Sequence, residues 1–487
     1  MSSSELQAGK VVSSGGKLAQ GQLGVWSIVF FVMSAAAPLT VFVSGTPSTF
    51  RLGGIGAPGA MLACGVTLLL FSLGFTAMSR HVRNTGAFYA YVAKGLGKPA
   101  GIGAAMVTIF AYGMLCVSFY GYLGFFAALT AKDLFGIDLP WGLWAIAAAV
   151  IVAFLGYRQI DVGAKVLAVL LTAEVLILLI LSVAVLVRSG GEGMSLAPFD
   201  PANVFFATGA GTLFVLGFGS YIGFEGTAIY SEEAKDPRRT VPRATYIAIG
   251  FLAIFYAFTF WILTVAFGID GIMSLALGDD FAEMAFIATD QNLGLLAVKV
   301  MQVLIVTSFF ACLIAFHNAS SRYIFSMGRE RLLPAALGAT HPKSKAPHRA
   351  SLVMTVISIV AVIGCVVLGA DPYLGFGLWS YSSGVIGIVF AQAVTAVAVT
   401  AYFMRDRQGY GPFRVLIAPA LGAIGLTIGV ILIVTNFDVI TGMTGAVNWV
   451  MIVPTPLLFV VGIVIGFVMK RRNPDHYARL AEQGSVR

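Results

Sequence analysis

The sequence predicts an all-α integral membrane protein of about twelve transmembrane helices, and two observations lead to this fold class. Of the 487 residues, 58% are hydrophobic and only 11% are charged, and the mean hydropathy is +0.91. A soluble domain of this length needs far more charge to cover its surface. The apolar residues are also grouped in runs of about 20, the length that crosses a bilayer core of about 30 Å. One membrane domain therefore accounts for the whole chain.

Twelve apolar runs, numbered spans 1 to 12, are predicted to cross the membrane. Their limits are Val25–Gly45, Ala57–Met78, Gly101–Thr130, Trp141–Tyr157, Ala164–Val187, Phe205–Tyr230, Thr245–Phe267, Leu295–Phe316, Ser351–Gly369, Leu378–Tyr402, Val415–Val434 and Val447–Met469. The fourth run is short, and the third and sixth are long enough to tilt or break. This division gives a core of spans 1–10 over residues 25–404 and a unit of spans 11 and 12 over residues 405–470. Residues 1–24 and 471–487 are polar tails.

Lysine and arginine residues are distributed unevenly between the two sides of these spans. If the N-terminus is cytoplasmic, 26 of the 30 basic residues fall in cytoplasmic segments, which is the asymmetry that sets orientation in cell membranes. We therefore expect a multi-pass protein of the inner or plasma membrane, in contact with lipid and with both termini cytoplasmic. The net charge of +8 then needs no nucleic acid partner, and the acidic outer segment 271–292 is predicted to form short surface helices. The four basic exceptions are Arg51, Lys132, Arg188 and Lys299.

Few residues in this chain are suited to hold a cofactor, a metal ion or a phosphate group. The five histidines are scattered, and the four cysteines lie inside apolar runs, so neither a metal enzyme nor a disulfide framework is indicated. The stretch Gly95–Lys98 lacks the G-x-x-x-x-G-K spacing of a phosphate-binding loop. We therefore expect no cofactor and no metal site, and the sequence argues against an enzyme or an ATP-driven pump. The cysteines are Cys64, Cys116, Cys312 and Cys365.

Two spans contain residues that interrupt a helix. Span 1 includes Ser34-Ala35-Ala36-Ala37-Pro38, where the proline removes a backbone hydrogen bond and crowds the preceding turn. Span 6 includes three glycines in the seven residues Gly217–Gly223. These are the first spans of two five-span halves, and broken helices at matched positions are typical of inverted-repeat transporters. The alternative interpretation is that spans 1 and 6 are ordinary kinked helices. A channel is a rival functional class, but channels usually have a filter and oligomeric symmetry in place of matched broken helices within one chain.

Four stretches of the chain resemble motifs of the amino acid–polyamine–organocation superfamily, and together they extend through spans 1 to 10. The most specific is Gly223-Phe224-Glu225, followed by residues 232–237 and 241–244. The others are Thr85-Gly86-Ala87-Phe88-Tyr89-Ala90-Tyr91, Gly163-Ala164-Lys165-Val166, and Ser321-Arg322 with residues 327–330 and 333–334.

This resemblance implies a leucine-transporter-like fold and an activity. Spans 1–5 and 6–10 would form two inverted repeats, with spans 11 and 12 peripheral. The protein would be a permease that moves amino acids or related amines by alternating access. The chain departs from the family at two points. Its first break is rich in alanine where the family is usually glycine-rich, and at the second break Phe218 stands beside the small Gly219 and Ser220, where many members carry a large aromatic gate.

The two breaks predict where a zwitterionic substrate binds. Half-helix N-termini offer N–H groups and a positive dipole end, and half-helix C-termini offer carbonyl groups. We expect the substrate carboxylate at the amides near Ala36–Thr40, and the ammonium at the carbonyls near Phe218–Tyr221 and Ser34. Exposed backbone at membrane depth is tolerated where it lines a cavity. The predicted site comprises Ser34, Ala35, Ala36, Ala37, Pro38 and Thr40 of span 1, with Phe218, Gly219, Ser220, Tyr221 and Gly223 of span 6.

Two ionisable residues lie well inside the spans and are candidates for coupling or gating. A carboxylate at the bilayer centre costs roughly 3 kcal/mol on insertion scales, so Glu174 and Glu225 need a reason to be there. Glu174 lies halfway along span 5, where the resemblance places the coupling lysine of proton-driven relatives, near the ion site of sodium-driven ones. As the coupling ion that Glu174 would bind, a proton is favoured over sodium. A protonated, hydrogen-bonded structural carboxyl is the alternative for Glu174. Glu225 belongs to the family signature, which favours a structural or gating role over direct coupling.

Several alternatives stay open at the level of sequence. A polyamine or organic-cation importer, or a substrate exchanger of the same fold, is the main rival to an amino acid symporter, and a sensor that does not transport is a more distant one. His317 reads as a packing residue, and Trp379 and Tyr381 read as interfacial anchors more than as part of a vestibule. The sequence leaves a monomer and a homodimer equally open.

Overall fold

The computed structural model describes residues 23–82, 86–158, 164–191, 193–229, 234–341 and 346–480. Regular structure in these ranges is helical, apart from one isolated bridge between Leu23 and Ala234. Within these described ranges, ten helices are long and apolar enough to cross a membrane, and two shorter apolar helices, Trp141–Gly156 and Ala210–Ser220, lie where spans 4 and 6 were expected. The predicted all-α membrane fold is therefore confirmed. Residues 1–22 and 481–487 of the tails, and Thr85, Gly163, Glu232 and Glu233 of the family motifs, lie outside the described residues.

The twelve spans follow one another with short connections, several of which contain helices of their own. The spans are Val25–Gly53, Ala57–Met78, Lys98–Phe135, Trp141–Arg158, Ala164–Ser189, Ala210–Ser220 with Gly226–Ile229, Pro237–Leu277, Leu295–Arg329, His348–Val367, Pro372–Arg405, Phe413–Thr435 and Pro454–Arg472. The connecting helices are Ala87–Gly95, Ala197–Phe199, Pro201–Phe205, Asp279–Glu283, Met284–Leu293, Ala335–Gly338, Phe437–Thr441 and Ala446–Ile452, and a C-terminal helix, Pro474–Arg479, follows the last span.

Span limits differ from the predicted ones where local backbone chemistry overrides hydropathy. The predicted start of span 6 at Phe205 is wrong, because a separate helix begins after Asp200, whose carboxylate accepts the Ala202 N–H at 2.8 Å. Span 6 starts at Ala210, after Gly209 with φ 89°. Span 7 continues past its predicted end at Phe267 and bends at Gly268 (φ 69°) into the segment where short surface helices were predicted. Span 3 is one unbroken helix of 38 residues.

Both described termini lie at the same end of the bundle, called here the terminal end. The N–H of Lys235 donates to the carbonyl of Leu23 at 2.9 Å, which fixes the start of span 1 beside the start of span 7. The ammonium of Lys98 donates to the Tyr477 carbonyl at 3.0 Å, which holds the C-terminal helix against the start of span 3. At the opposite end, Arg51 at the close of span 1 donates to the carbonyls of Ala276 and Gly278 at 3.0 and 3.1 Å.

Spans 11 and 12 pack on the core through glycines. A Cβ on Gly462 of span 12 would lie 2.5 Å from the Cα of Gly103 in span 3, so the two backbones meet with no side chain between them. In span 11, a Cβ on Gly422 would lie 2.8 Å from the backbone nitrogen of Phe71 in span 2. The two peripheral spans therefore lie directly against spans 2 and 3 of the core.

Candidate binding site at the two helix breaks

Span 1 is broken at Ala37. The first helix ends at Ala36, Ala37 adopts a left-handed conformation with φ 43°, and the chain resumes a helix at Pro38. In an unbroken helix the carbonyl of Ser34 would accept an N–H from residue 38, and proline has none. The Ser34 carbonyl therefore faces the break without its helical donor, close to the substrate position that the sequence predicted.

Span 6 is broken over the five residues that follow Ser220. In an unbroken helix the Ser220 carbonyl would accept the N–H of Phe224, but that N–H donates to the carbonyl of Tyr221 at 3.3 Å. Gly223 has φ 118°, a conformation that L-residues rarely adopt, and a Cβ there would lie 2.8 Å from the Cβ of Ala35. Glycine is thus required at Gly223, and the two breaks are in direct contact.

A cavity of about 40 Å³ lies beside the two breaks, in the interior of the core. This volume accommodates the centres of a few water molecules, so the site is contracted in this conformation. Five of the predicted site residues line it, namely Ala35, Ala36, Thr40, Gly219 and Ser220. The remaining lining residues are Val41, Ser44, Gly45, Leu115, Phe119, Tyr122, Leu216, Ile222, Phe309, Cys312, Phe316 and Tyr381.

The other predicted site residues lie at the breaks but outside the cavity lining. Phe218 packs toward Gly429 of span 11, and its ring centroid is 6.1 Å from that of Phe214. The hydroxyl of Tyr221 donates to the carbonyl of Met61 in span 2 at 2.6 Å. The helical period explains this division, because Leu216, Gly219 and Ser220 share one face of span 6 and Phe218 lies on another. Ser34, Ala37, Pro38 and Gly223 shape the breaks.

Residues from spans 3, 8 and 10 complete the cavity, and the sequence reasoning did not assign them to it. Their helical spacing was a usable signal: Leu115, Phe119 and Tyr122 repeat every three or four residues, as do Phe309, Cys312 and Phe316. Tyr381, interpreted from sequence as an interfacial anchor, lines the cavity, and a Cβ on Gly219 would overlap its hydroxyl group.

Aromatic side chains cover the cavity toward the opposite end of the bundle. The ring of Tyr122 stacks on Phe309 with centroids 5.8 Å apart, and Phe126 stacks on the same ring at 5.6 Å. Tyr373, at the start of span 10, packs edge-on against Tyr122 at 5.4 Å, and its hydroxyl contacts Ser44 and Ser48. These rings separate the cavity from the surface that carries Arg51.

Glu174 connects three spans behind the first break. Its carboxylate accepts the hydroxyl of Ser308 in span 8 at 2.8 Å and the backbone N–H of Leu39 in span 1. The side chain is buried, with 3% exposed. The Leu39 amide belongs to the group that the sequence assigned to a substrate carboxylate. A carboxyl group of the protein therefore occupies part of the positive end of the second half-helix.

Glu225 serves the second break from within the same span. One carboxylate oxygen accepts the N–H of Gly223 at 3.1 Å, and the other accepts the hydroxyl of Tyr112 in span 3 at 2.8 Å. The residue is fully buried and does not line the cavity. His317 lies elsewhere, with its Nε2 2.7 Å from the hydroxyl of Ser351, so it links spans 8 and 9.

Comparison with known sequences finds transporters along the whole chain. The family model described as amino acid permease matches residues 23–476. An uncharacterized transporter of Mycobacterium tuberculosis is 28% identical over 277 residues, 54% of this chain and 60% of the relative, so the match spans less than two thirds of that protein. The branched-chain amino acid permease BcaP of Bacillus subtilis is 22% identical with 95% of each chain covered. The low-affinity putrescine importer PlaP of Escherichia coli is 24% identical, with 82% of this chain and 86% of the importer covered.

Comparison with solved structures supports the fold. A manganese transporter of Eremococcus coleocola, in complex with an aromatic bis-isothiourea substituted compound, matches with a TM-score of 0.59 over 95% of this chain and 99% of the other. The sequence identity is 13%, so this likeness concerns the fold alone. The leucine-transporter-like fold that the sequence motifs implied is confirmed.

Proposed function

The chain belongs to the amino acid permease family, and on that premise we propose that it is a secondary transporter which carries a neutral amino acid together with a proton. The proposal rests on one observation above all, the cavity that the two helix breaks share. Ala35 and Ala36 from the first break and Gly219 and Ser220 from the second line it. Broken helices that meet at a cavity are the usual substrate site of such transporters.

Backbone groups at the breaks supply a partner for a substrate ammonium. The carbonyls of Ser34 and Ser220 have each lost the N–H that an unbroken helix would provide, the first to Pro38 and the second to the turn at Tyr221. A carbonyl at a half-helix C-terminus also lies at the negative end of the dipole. An ammonium placed between these two carbonyls would be bound without any charged side chain.

The chemistry of the lining favours an amino acid over a polyamine. None of the residues that line the cavity is Asp, Glu, Lys, Arg or His. A polyamine carries two or more ammonium groups and no anion, and burial of unpaired charge is costly. Leu115, Leu216, Ile222 and the rings of Phe309 and Phe316 instead suit an apolar side chain. A small neutral amino acid with an aliphatic side chain is therefore the proposed substrate class.

The position of Glu174 suggests how a proton is coupled to that substrate. Its carboxylate already accepts the Leu39 N–H, at the half-helix end where a substrate carboxylate would bind. Two anions at one helix end repel each other, so an ionised Glu174 opposes substrate binding, and a protonated Glu174 permits it. Since Ser308 has a hydroxyl, it can reverse its hydrogen bond and accept from the protonated carboxyl. Proton and substrate would then bind together and be released together, as symport requires.

Alternating access and orientation complete the proposal. The aromatic rings of Tyr122, Phe309 and Tyr373 would act as the closed gate on the outer side. The protein would lie in the cell membrane with its terminal end facing the cytoplasm. In that orientation, 26 of the 30 basic residues would lie on the cytoplasmic side.

Uptake by the purified protein in proteoliposomes tests the function directly. With a substrate panel and imposed gradients, we expect an inward pH gradient to drive accumulation of a neutral aliphatic amino acid, and a sodium gradient to have no effect. Accumulation of a diamine in preference to every amino acid would overturn the substrate class. Accumulation driven by sodium alone would overturn proton coupling, and exchange with no response to either gradient would identify an exchanger.

A further inference from the structure

A second cavity, of about 700 Å³, opens at the terminal end between spans 2, 7 and 11. Four of its seven lining residues are arginines. Arg80 follows the end of span 2, Arg239 and Arg243 lie in the first turns of span 7, and Arg414 lies at the start of span 11. The remaining lining residues are Leu73, Pro242 and Tyr246.

The positive charge in this cavity is poorly compensated within the described part of the chain. Among the residues that the structure describes, no Asp or Glu lines the cavity. An ion pair joins Arg239 to Asp236 at 3.8 Å, with both side chains more than half exposed. The Nε atoms of Arg80 and Arg414 are shielded from solvent and have no acceptor among the described residues. A buried donor without an acceptor is costly, and an anion in the cavity would remove that cost.

Arg414 is held in place from two sides. Its guanidinium lies over the ring of Tyr410, 5.1 Å from the centroid, and donates to the hydroxyl of Tyr246 at 3.4 Å. The Tyr246 hydroxyl is itself 2.6 Å from that of Thr76 in span 2. The three spans are thus joined at the cavity, and the guanidinium is positioned before any ligand arrives. Guanidinium groups match phosphate oxygens in geometry as well as in charge.

The surface next to the cavity is suited to hydrocarbon chains. Along span 7, Ile247 and Phe251 are exposed one and two turns deeper than Arg243, and along span 11 Ile417 and Leu421 are exposed in the same way. Large apolar side chains exposed on membrane spans face lipid tails. A ligand with a phosphate in the cavity and acyl chains along these residues would satisfy both surfaces.

We propose that this cavity binds the phosphate of an anionic phospholipid from the leaflet at the terminal end. Basic pockets between membrane helices on the cytoplasmic side are suited to such headgroups. The lipid would connect spans 2 and 7 of the core to the peripheral span 11. Soluble phosphate shares the headgroup chemistry, but it would leave the apolar walls without a partner.

Titration of the purified protein with phosphatidylglycerol, read by native mass spectrometry and by thermal unfolding, tests the proposal. The pocket variant is Arg80→Gln/Arg414→Gln, and the matched control Arg471→Gln/Arg472→Gln removes the same charge from exposed positions at the end of span 12. We expect phosphatidylglycerol to bind and stabilise the parent and the control. Its affinity should fall by about fivefold for each pocket arginine removed, and phosphatidylcholine should bind all three proteins equally weakly.

Two further arms keep the test decisive. If the pocket variant does not fold, Arg239→Gln/Arg243→Gln at two exposed positions takes its place, with the same expectation. Equal phosphatidylglycerol affinity in the pocket variant and the control would overturn the site. Inorganic phosphate that stabilises the parent as strongly as the lipid, with the same dependence on the arginines, would overturn the lipid and assign the cavity to a free anion.

Discussion

The two helix breaks each expose backbone N–H groups, and they obtain the carboxyl group that accepts them from different places. The break in span 6 is made by Gly223 and is stabilised by Glu225, two residues further along the same span. The break in span 1 is made by Ala37 and Pro38, and the carboxyl group at its amide end comes from Glu174 of span 5. Tyr112 of span 3 also holds the Glu225 carboxyl, but the bond from Gly223 to Glu225 stays within one span. We expect the break in span 1, which takes its carboxyl from another span, to respond to movement of span 5 and to the charge on Glu174.

The largest loss of substrate binding and stability is expected at the break in span 6, where the backbone conformation requires glycine. Gly223→Leu places a side chain at φ 118° and against Ala35, and strained backbone of this kind costs about 1–3 kcal/mol before the clash is counted. Substrate binding should be lost and the midpoint of thermal unfolding lowered. Gly250→Leu in span 7, where a Cβ meets no atom within 4 Å, should change neither. Parent-like binding by the Gly223 variant would show that the turn does not need glycine.

The next prediction tests whether the break in span 1 responds to charge. Glu174→Gln imitates the protonated carboxyl, so it should bind substrate and exchange it yet lose all accumulation driven by a pH gradient. In the parent, substrate affinity should rise as the pH falls, because protonation removes the competing anion, and in the variant that dependence should disappear. Glu174→Ala should bind less well, since it also loses the bonds to Ser308 and Leu39. Accumulation by Glu174→Gln at the parent rate would remove Glu174 from coupling.

A smaller effect is expected at the cavity face of span 6. Gly219→Val brings a side chain into the space that the Tyr381 hydroxyl occupies. Overpacking of this kind costs about 1–3 kcal/mol, and here the cost should appear in substrate affinity more than in folding. Equilibrium binding and thermal unfolding of the same sample separate the two, with Gly113→Val, at a position in span 3 with open space, as the control. Unchanged affinity would move the substrate away from Gly219.

The smallest effect should come from the carboxyl of the second break. Glu225→Gln keeps one acceptor for Gly223 or Tyr112 but loses the charge, so unfolding free energy should fall by about 1–2 kcal/mol. Combining it with Tyr112→Phe should cost less than the sum of the two single changes, because the two residues share one bond. Proton-driven uptake should persist in Glu225→Gln and in the double variant. Loss of proton-driven uptake in a folded Glu225→Gln protein would show that the carboxyl at the break in span 6 also takes part in coupling, contrary to this prediction.

Sequence alone predicted the features that are local along the chain. Run length gave the spans, Pro38 marked the first break, and the glycines of span 6 marked the second, because each acts on its own backbone. The contacts that define the site are distant in sequence. The bond from Glu174 to Leu39, the direction of Phe218 toward span 11 and the entry of Tyr381 into the cavity depend on how helices pack, and hydropathy carries no record of that. Motif resemblance supplied the fold that local patterns did not.

Arg51 gives the end of span 1 a mechanical connection. Its two bonds to the carbonyls of Ala276 and Gly278, and its position 4.5 Å above the ring of Phe281, attach the half of span 1 after Ala37 to the helices between spans 7 and 8. The break at Ala37 separates that half from the first helix of span 1. Under the proposed alternating access, a tilt of the half beyond Ala37 would therefore carry the surface helices with it.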